Sequence, residues 1–330
     1  EMCIRDSDCY LLVANSHGVN VWCAASGGLL TTHPVISVLK TSGVENLVDH
    51  RQLILPQLAA TGVDVGRLEE KTGWKAVWGP VYASDIRAFL QNELVKTAEM
   101  RQVRFPWRQR FEMAASWAFP ISTLAALIAF LSWPDGLLPL VSLTWVLAVL
   151  LFILFPFYQT WLGVYGKKIG PIFVDFVLIG LQFLLWSLII LSLALYAVLV
   201  QAPAWGFIFQ WGGISLLLLL ILGIDLTGST PTFKSGLHED RWLKLVVDVD
   251  RCGGDGSCVQ VCPRDCFTLN GQGSSISMPR AEQCVQCGAC IVQCPWDALY
   301  FATPGGDVVT ADTVRRYKLN LMGQRVVRNH

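Results

Sequence analysis

The chain has 330 residues, with 25 Lys and Arg balanced by 25 Asp and Glu, 53% hydrophobic residues and only 15% charged ones. So apolar a composition excludes an ordinary soluble domain of this size and predicts that part of the chain sits in lipid. The balanced charge leaves no basic face beyond clusters beside the apolar stretches, which argues against nucleic acid as a partner.

Residues 1–7 come first. Met2 to Ser7 match what a common sequencing-library adaptor spells when translated, so they and Cys3 are set aside. The run from Cys9 to Ala14 reads as the middle of a domain, which predicts a truncated chain, and no signal peptide is seen. Over residues 8–100, short apolar runs alternate with amphipathic segments: Tyr10 to Ala14, Val35 to Lys40, Leu53 to Leu55, Val65 to Lys71, Lys75 to Trp78 and Asp85 to Leu94. That alternation predicts an α/β, Rossmann-like domain with a largely parallel sheet.

A basic linker over 101–111 follows, with Arg101, Arg104, Arg108 and Arg110 interleaved with Phe105 and Trp107. Its position suggests a membrane-interface collar. Residues 112–226 then hold four apolar stretches, at about 113–133, 136–158, 172–200 and 207–226. Each has roughly the 20 residues that span a bilayer, predicting a four-helix transmembrane domain in contact with lipid. The first and third connections carry no Lys or Arg, whereas the middle one carries Lys167 and Lys168, and both outer flanks are basic. The positive-inside bias therefore predicts a multi-pass protein of the cytoplasmic membrane with both terminal domains facing the cytoplasm. Few polar residues fall within the spans, so a transporter is poorly supported.

Beyond a linker at 227–244 lies the most informative region, 245–302. Eight of the eleven cysteines fall between Cys252 and Cys294. Cys284-Val-Gln-Cys287-Gly-Ala-Cys290-Ile-Val-Gln-Cys294-Pro295 is a full Cys-x2-Cys-x2-Cys-x3-Cys-Pro run. In two-cluster ferredoxins three such thiolates grip one cubane and the fourth reaches the other cluster. An earlier copy, Cys252-Gly-Gly-Asp255-Gly-Ser-Cys258-Val-Gln-Val-Cys262-Pro263, has Asp255 at the second cysteine position. Crossed ligation predicts cluster one on Cys252, Cys258 and Cys294, with Asp255 or water at the fourth iron. Cluster two would sit on Cys284, Cys287, Cys290 and Cys262. Both are expected as [4Fe-4S] centres in an α+β bacterial-type fold, with a [3Fe-4S] form open to the first because an oxygen ligand is more easily lost. Cys266 reads as a small buried apolar residue rather than a ligand. The 303–330 tail, with Arg315, Arg316, Lys318, Arg325 and Arg328, reads as a solvated basic helix.

Two clusters define a wire for single electrons, not a reaction. The other candidate is Gly18-Val-Asn20-Val-Trp22-Cys23-Ala-Ala, a cysteine expected in a loop just after a strand. By residue type alone a buried structural cysteine is the favoured reading. His17 reads as an exposed turn residue beside Gly18.

Asn20-Val-Trp-Cys23-Ala-Ala, Leu53-Ile-Leu-Pro56-Gln57-Leu-Ala and Gly79-Pro80-Val, followed by membrane helices and a two-cluster ferredoxin, resemble the bacterial mercury-methylation pair. In that pair a membrane-anchored corrinoid protein works with a small ferredoxin, and this chain looks like the two fused end to end. Its α/β part is also related to the corrinoid iron–sulfur protein of acetyl-CoA synthesis. The resemblance implies a cobalamin-type corrinoid, Cys23 as the lower axial thiolate to cobalt, and Asn20 and Trp22 shaping the loop beneath the ring. It implies a methyltransferase in which the ferredoxin, fed by an upstream electron donor, returns cobalt to Co(I). The methyl donor would be a methyl-folate-type carrier or its methyltransferase.

Two departures stand out. Ser26-Gly27 replaces the family's Gly-Lys, and no cysteine lies between Pro295 and His330, where the family ferredoxin has cysteines that receive Hg(II). Soft Hg(II) demands thiolates, which favours another methyl acceptor over mercury. The rival reading is a membrane iron–sulfur electron-transfer protein without corrinoid chemistry, whose α/β domain is only a docking surface.

Overall fold

The computed structural model describes residues 9–158, 167–169, 172–174, 176–200, 205–223, 243–270, 275–303, 306–319 and 325–327. The adaptor-like segment, most of the 227–244 linker and the end of the basic tail lie outside them. The chain forms two compact units, Glu1–Val103 with Leu243–His330, and Arg104–Trp242. The α/β and ferredoxin parts, read from the sequence as separate domains, thus belong to one unit.

The first half of that unit contains helices α1 (Val21–Ser26) and α2 (Thr32–Thr41), strand β1 (Gln52–Leu55), helix α3 (Val65–Thr72), strand β2 (Lys75–Trp78), and short helices α4 (Ile86–Gln91) and α5 (Ala98–Arg101). β1 and β2 pair in parallel, Gln52 opposite Lys75 through Leu55 opposite Trp78. A 3₁₀ turn at Gln57–Thr61 and α3 make the crossover that a parallel pair requires. Asp64 starts α3 by accepting the Arg67 amide at 3.1 Å, and Gly73, at φ 71°, ends it. Ala24, Leu30, Val35, Leu39, Leu55, Leu68 and Trp74 form the core of this half. Each large member contributes about 1.5–3 kcal/mol of burial.

Two expectations fail here. Tyr10 to Ala14 is extended but pairs with no strand among the described residues. Its period-2 pattern survives in the packing, with Leu12 and Ala14 against the core and Leu11 and Val13 exposed. Cys23 lies in α1 rather than in a loop, because Asn20 caps a helix there.

The second unit holds α6 (Trp107–Ser132), α7 (Leu137–Ile153), the turn-like α8 (Phe155–Tyr158), a hairpin of β3 (Lys167–Ile169) and β4 (Ile172–Val174), α9 (Phe176–Val200) and α10 (Trp205–Gly223). Four segments are long and apolar enough to cross a membrane: Trp107–Ser132, Pro134–Ile153, Phe183–Val200 and Trp205–Gly223. Their number agrees with the sequence reading, but their ends shift. Arg108 and Arg110 lie on the first turns of α6 rather than in a linker, and the guanidinium of Arg110 donates to the Ile153 carbonyl at the end of α7 at 2.9 Å. The third helix begins at Phe176, since Ile172–Val174 pairs with Lys167–Ile169. Ala114, Ala118 and Ser122 make a small-residue stripe on α6, and Trp145 of α7 donates to the Ser122 hydroxyl at 3.2 Å. Close backbone approach with a few interhelical hydrogen bonds suits helices that gain nothing from hydrophobic burial against one another in lipid.

The remainder of the first unit has β5 (Lys244–Val247), α11 (Ser257–Val261), β6 (Thr268–Leu269), β7 (Ile276–Ser277), α12 (Ala289–Gln293), β8 (Leu299–Ala302), β9 (Val308–Val309), α13 (Ala311–Arg316), β10 (Tyr317–Leu319) and β11 (Arg325–Val327). β5, β8 and β9 form an antiparallel sheet in that order, and β6–β7 and β10–β11 are hairpins. Phe267, Ile291, Leu299 and Phe301 are fully buried in its core, and Ala60 of the first half is buried in the same cluster.

Candidate metal centres

Each cysteine run folds as a loop followed by one short helix. Gly256 and Gly288 sit at matching places, at φ 76° and 75°, directly before α11 and α12. This left-handed backbone is open to glycine at little cost and turns the following cysteine inward. Gln286 adopts the same region at φ 55° where the first loop has Gly254 at 70°. None of the ten described cysteines forms a disulfide.

Burial, then the charge of Asp255, pushes Cys258 up to about 12, with Cys294 and Cys252 also within electrostatic reach. Cys287 and Cys290 are likewise pushed up, first by burial, and both feel Cys262 and Cys284. Cys258 thus lies within electrostatic reach of Asp255, Cys294 and Cys252, and Cys262, Cys284, Cys287 and Cys290 line one small cavity together with Cys266. No three His, Cys, Asp or Glu among the described residues converge on a single-ion site. Four cysteines around that small cavity, Cys262 and Cys290 buried and Cys284 and Cys287 half-buried, fit a cubane, whose irons hold the ligands apart. Cysteine ligands bind iron as thiolates, so cluster binding would be coupled to proton release.

The two loops differ in detail. Asp255 Oδ2 accepts from the Ser257 amide at 3.2 Å and from the Ser257 hydroxyl. Trp296 lies across Gly253, where any Cβ would come within 2.3 Å of the indole. Cys266, 1% exposed, is buried as expected, and its backbone amide donates to Cys262 Sγ at 3.3 Å; contact with the Cys262 and Cys284 thiols pushes the Cys266 thiol up and lowers Cys262.

Cys23 is half-buried on α1. Its amide donates to Asn20 Oδ1 at 2.9 Å, and Asn20 Nδ2 donates to Cys23 Sγ at 3.2 Å. One side chain thus starts the helix and fixes the sulfur, leaving sulfur lone pairs for one further partner. Trp22 turns inward at 9% exposure, while Asn20 stays exposed. A single accessible sulfur, steadied by one amide donor, fits an axial ligand presented to one face of a planar cofactor. His17 sits in the turn before it, exposed at φ 56°, as its place beside Gly18 predicts.

Sequence reasoning missed the contacts that join the two halves. The 3₁₀ turn at Gln57–Thr61 packs against α1 on one side and against α11 and α12 on the other. Lys96, 5% exposed, donates to Gln57 Oε1 at 2.7 Å and to the Gln260 carbonyl at 2.8 Å. Asp265 takes Arg101 at 3.6 Å and Arg280 at 2.6 Å, and the Val103 amide donates to the Pro263 carbonyl at 2.9 Å. Arg315, expected on a solvated helix, is 18% exposed instead. It donates to the Cys294 carbonyl at 3.0 Å and pairs with Asp297 at 2.7 Å, because the end of α12 leaves carbonyls that a cation satisfies. Arg316, paired with Asp312, is exposed as expected.

Lys96 makes this unit sensitive to pH. Burial first, and the Arg101 charge second, lower it from 10.5 to about 7. Between those values the unfolded chain holds the proton that the folded chain releases, so stability rises with pH across that window. The slope is limited to about 1.4 kcal/mol per pH unit. Thermal melts of Lys96→Met across the same window should lose this rise, and a slope equal to that of the parent chain would refute the assignment.

With this geometry in view, the likenesses to known proteins become specific. Residues 1–90 match the family described as CO dehydrogenase/acetyl-CoA synthase delta subunit, and residues 245–268 and 280–300 match the 4Fe-4S binding domain. The chain is 35% identical over 82 residues to the acetyl-CoA decarbonylase/synthase complex subunit gamma of Archaeoglobus fulgidus, covering 25% of this chain and 17% of that one. It is 34% identical over 85 residues to the corrinoid/iron-sulfur protein large subunit of Moorella thermoacetica, covering 26% and 19%. The formate dehydrogenase iron-sulfur subunit of Wolinella succinogenes is 41% identical over 51 residues, covering 16% and 24%. No solved structure matches. The chain therefore carries a corrinoid iron–sulfur protein-like region and a ferredoxin domain, and spans about a fifth of the length of the first relatives.

Proposed function

We propose that this chain is a membrane-anchored, corrinoid-dependent methyl-transfer protein with a fused ferredoxin, of the mercury-methylation type. The observation that carries the reading is the pairing of Cys23 with Asn20 on a helix packed against the turn that also seats the ferredoxin helices. A corrinoid bound there supplies a cobalt atom that accepts and passes on a methyl group, and iron–sulfur clusters supply the single electrons that restore it.

The chain's own residues do the rest. Cys23 would offer its sulfur to the cobalt, and Asn20 holds that sulfur in place by donating to it. Cys262, Cys284, Cys287 and Cys290 would hold one cluster, and Cys252, Cys258 and Cys294 the other, with Asp255 beside its fourth iron. Membrane anchoring is supported by the four apolar segments. The grouping of Glu1–Val103 with Leu243–His330 in one unit supports an even number of crossings. The basic flanks favour the cytoplasmic side. A soluble methyl carrier of folate type, or its methyltransferase, and a low-potential electron donor are the partners this reading requires. The acceptor is a soft electrophile.

The test is anaerobic purification with corrinoid supplied, followed by methyl transfer to Hg(II) and to other soft electrophiles. Stoichiometric cobalt with transfer to at least one acceptor is expected. A chain that holds its clusters but no corrinoid would leave the electron-transfer reading in its place.

A further inference from the structure

We infer that Gln293 is a positioning residue that ties the Cys294 end of the ferredoxin half to the helix carrying Cys23. Gln293 is the last residue of α12 and the immediate neighbour of Cys294. Its side-chain amide is wholly engaged by the other half of the unit. Nε2 donates to the Ala60 carbonyl at 2.8 Å and to the Val63 carbonyl at 2.7 Å, and Oε1 accepts from the Val65 amide at 3.4 Å. Two donors and one acceptor thus meet three backbone groups where a 3₁₀ turn ends and α3 begins, a place where backbone groups otherwise lack partners.

The same turn presses on the Cys23 helix. A Cβ on Gly62 would come within 2.1 Å of the Leu30 carbonyl oxygen and 2.9 Å of Ala25 Cα. Ala25 is fully buried and two residues from Cys23. The connection runs from Cys294 through Gln293 to Ala60 and Val63, then by direct packing of Gly62 on Ala25 to α1. Further ties between the halves, Lys96 to Gln260, Val103 to Pro263 and Arg101 to Asp265, fasten beside Cys262, and of these Lys96 reaches the same turn at its other end, through Gln57.

The arrangement sets the site of Cys252, Cys258 and Cys294 nearest to Cys23, and this step rests on the proposed function. A cluster held at that site would supply one electron to the cofactor over Cys23, the cluster being oxidised and the cofactor reduced by one electron. A soluble low-potential one-electron carrier replaces it through the site of Cys262, Cys284, Cys287 and Cys290.

The test uses the full chain in nanodiscs with its clusters, Cys3 and Cys9 changed to serine, and a nitroxide label on Cys23. Pulsed electron paramagnetic resonance, poised so that one cluster at a time is paramagnetic, reads the distance from the label to each. The cluster held by Cys258 and Cys294 should give the shorter, narrower distribution. In Gln293→Leu that distribution should broaden, and the Val65 amide should exchange with deuterium at least about tenfold faster, with cluster spectra unchanged. A shorter distance to the other cluster in the parent chain overturns the inference without recourse to any variant, and so does a Gln293→Leu chain with unchanged distances and exchange. Neither readout needs corrinoid, so failure to bind corrinoid would defeat the proposed function and leave this placement to be judged on its own distances.

Discussion

Cys23→Ala is expected to abolish methyl transfer and the sulfur-to-cobalt absorption of the corrinoid-loaded chain while leaving iron content and thermal stability almost unchanged. Cys23 is half-buried on a six-residue helix whose cap depends on the Asn20 side chain and the Cys23 backbone amide, both kept in the variant. Loss of one sulfur there should cost under about 1 kcal/mol of stability. On the proposed function, loss of the Cys23 sulfur would act on the cobalt directly, and a fall in activity of roughly 100-fold or more is expected, the upper end of what even outer-shell changes produce. Asn20→Ala should be milder, about tenfold, because the sulfur stays and only its orienting donor goes. The electron-transfer reading predicts no change in either variant. Equal reductase activity with no cobalt signal in parent and variant alike would decide for that rival.

How much of the fold and of the sites can be read from the sequence depends on how local the cause is. The cysteine spacings and the Gly256 and Gly288 turns are written within a dozen residues, so the two matching cysteine loops are legible in the sequence alone. The β1–α3–β2 crossover is legible too, since Asp64 and Gly73 mark the helix ends by their own chemistry. Tyr10 to Ala14 fails as a strand because a period-2 pattern specifies which side is buried, not whether a neighbour exists to pair with. Arg315 and Gln293 are invisible for another reason. Their partners lie about 20 and 230 residues away respectively, and only the docked fold brings a basic tail residue or an ordinary helix glutamine onto orphaned backbone groups. The same holds for Lys96, one lysine among many in the chain and a buried cation in the fold.

Asp255→Cys is expected to complete the first ligand set and to make its fourth iron resistant to chelation. Asp255 stands at the position occupied by Cys287 in the second loop, and the matched glycines show that the two backbones agree there. A thiolate is a softer and more tenacious iron ligand than a carboxylate. Here the carboxylate is further occupied, since Oδ2 already accepts from the amide and hydroxyl of Ser257. That bond and an iron bond compete for one side chain, which favours loss of the iron. The parent chain, oxidised and treated with chelator, should therefore show the paramagnetic signal of a three-iron centre, and Asp255→Cys should lose that signal and retain one more iron per chain. The change gives up the Ser257 bond, a cost of about 1 kcal/mol. Iron content equal in both chains after chelation would show that Asp255 holds the fourth iron as firmly as a cysteine does, and the first site would then be a stable four-iron centre with an oxygen ligand.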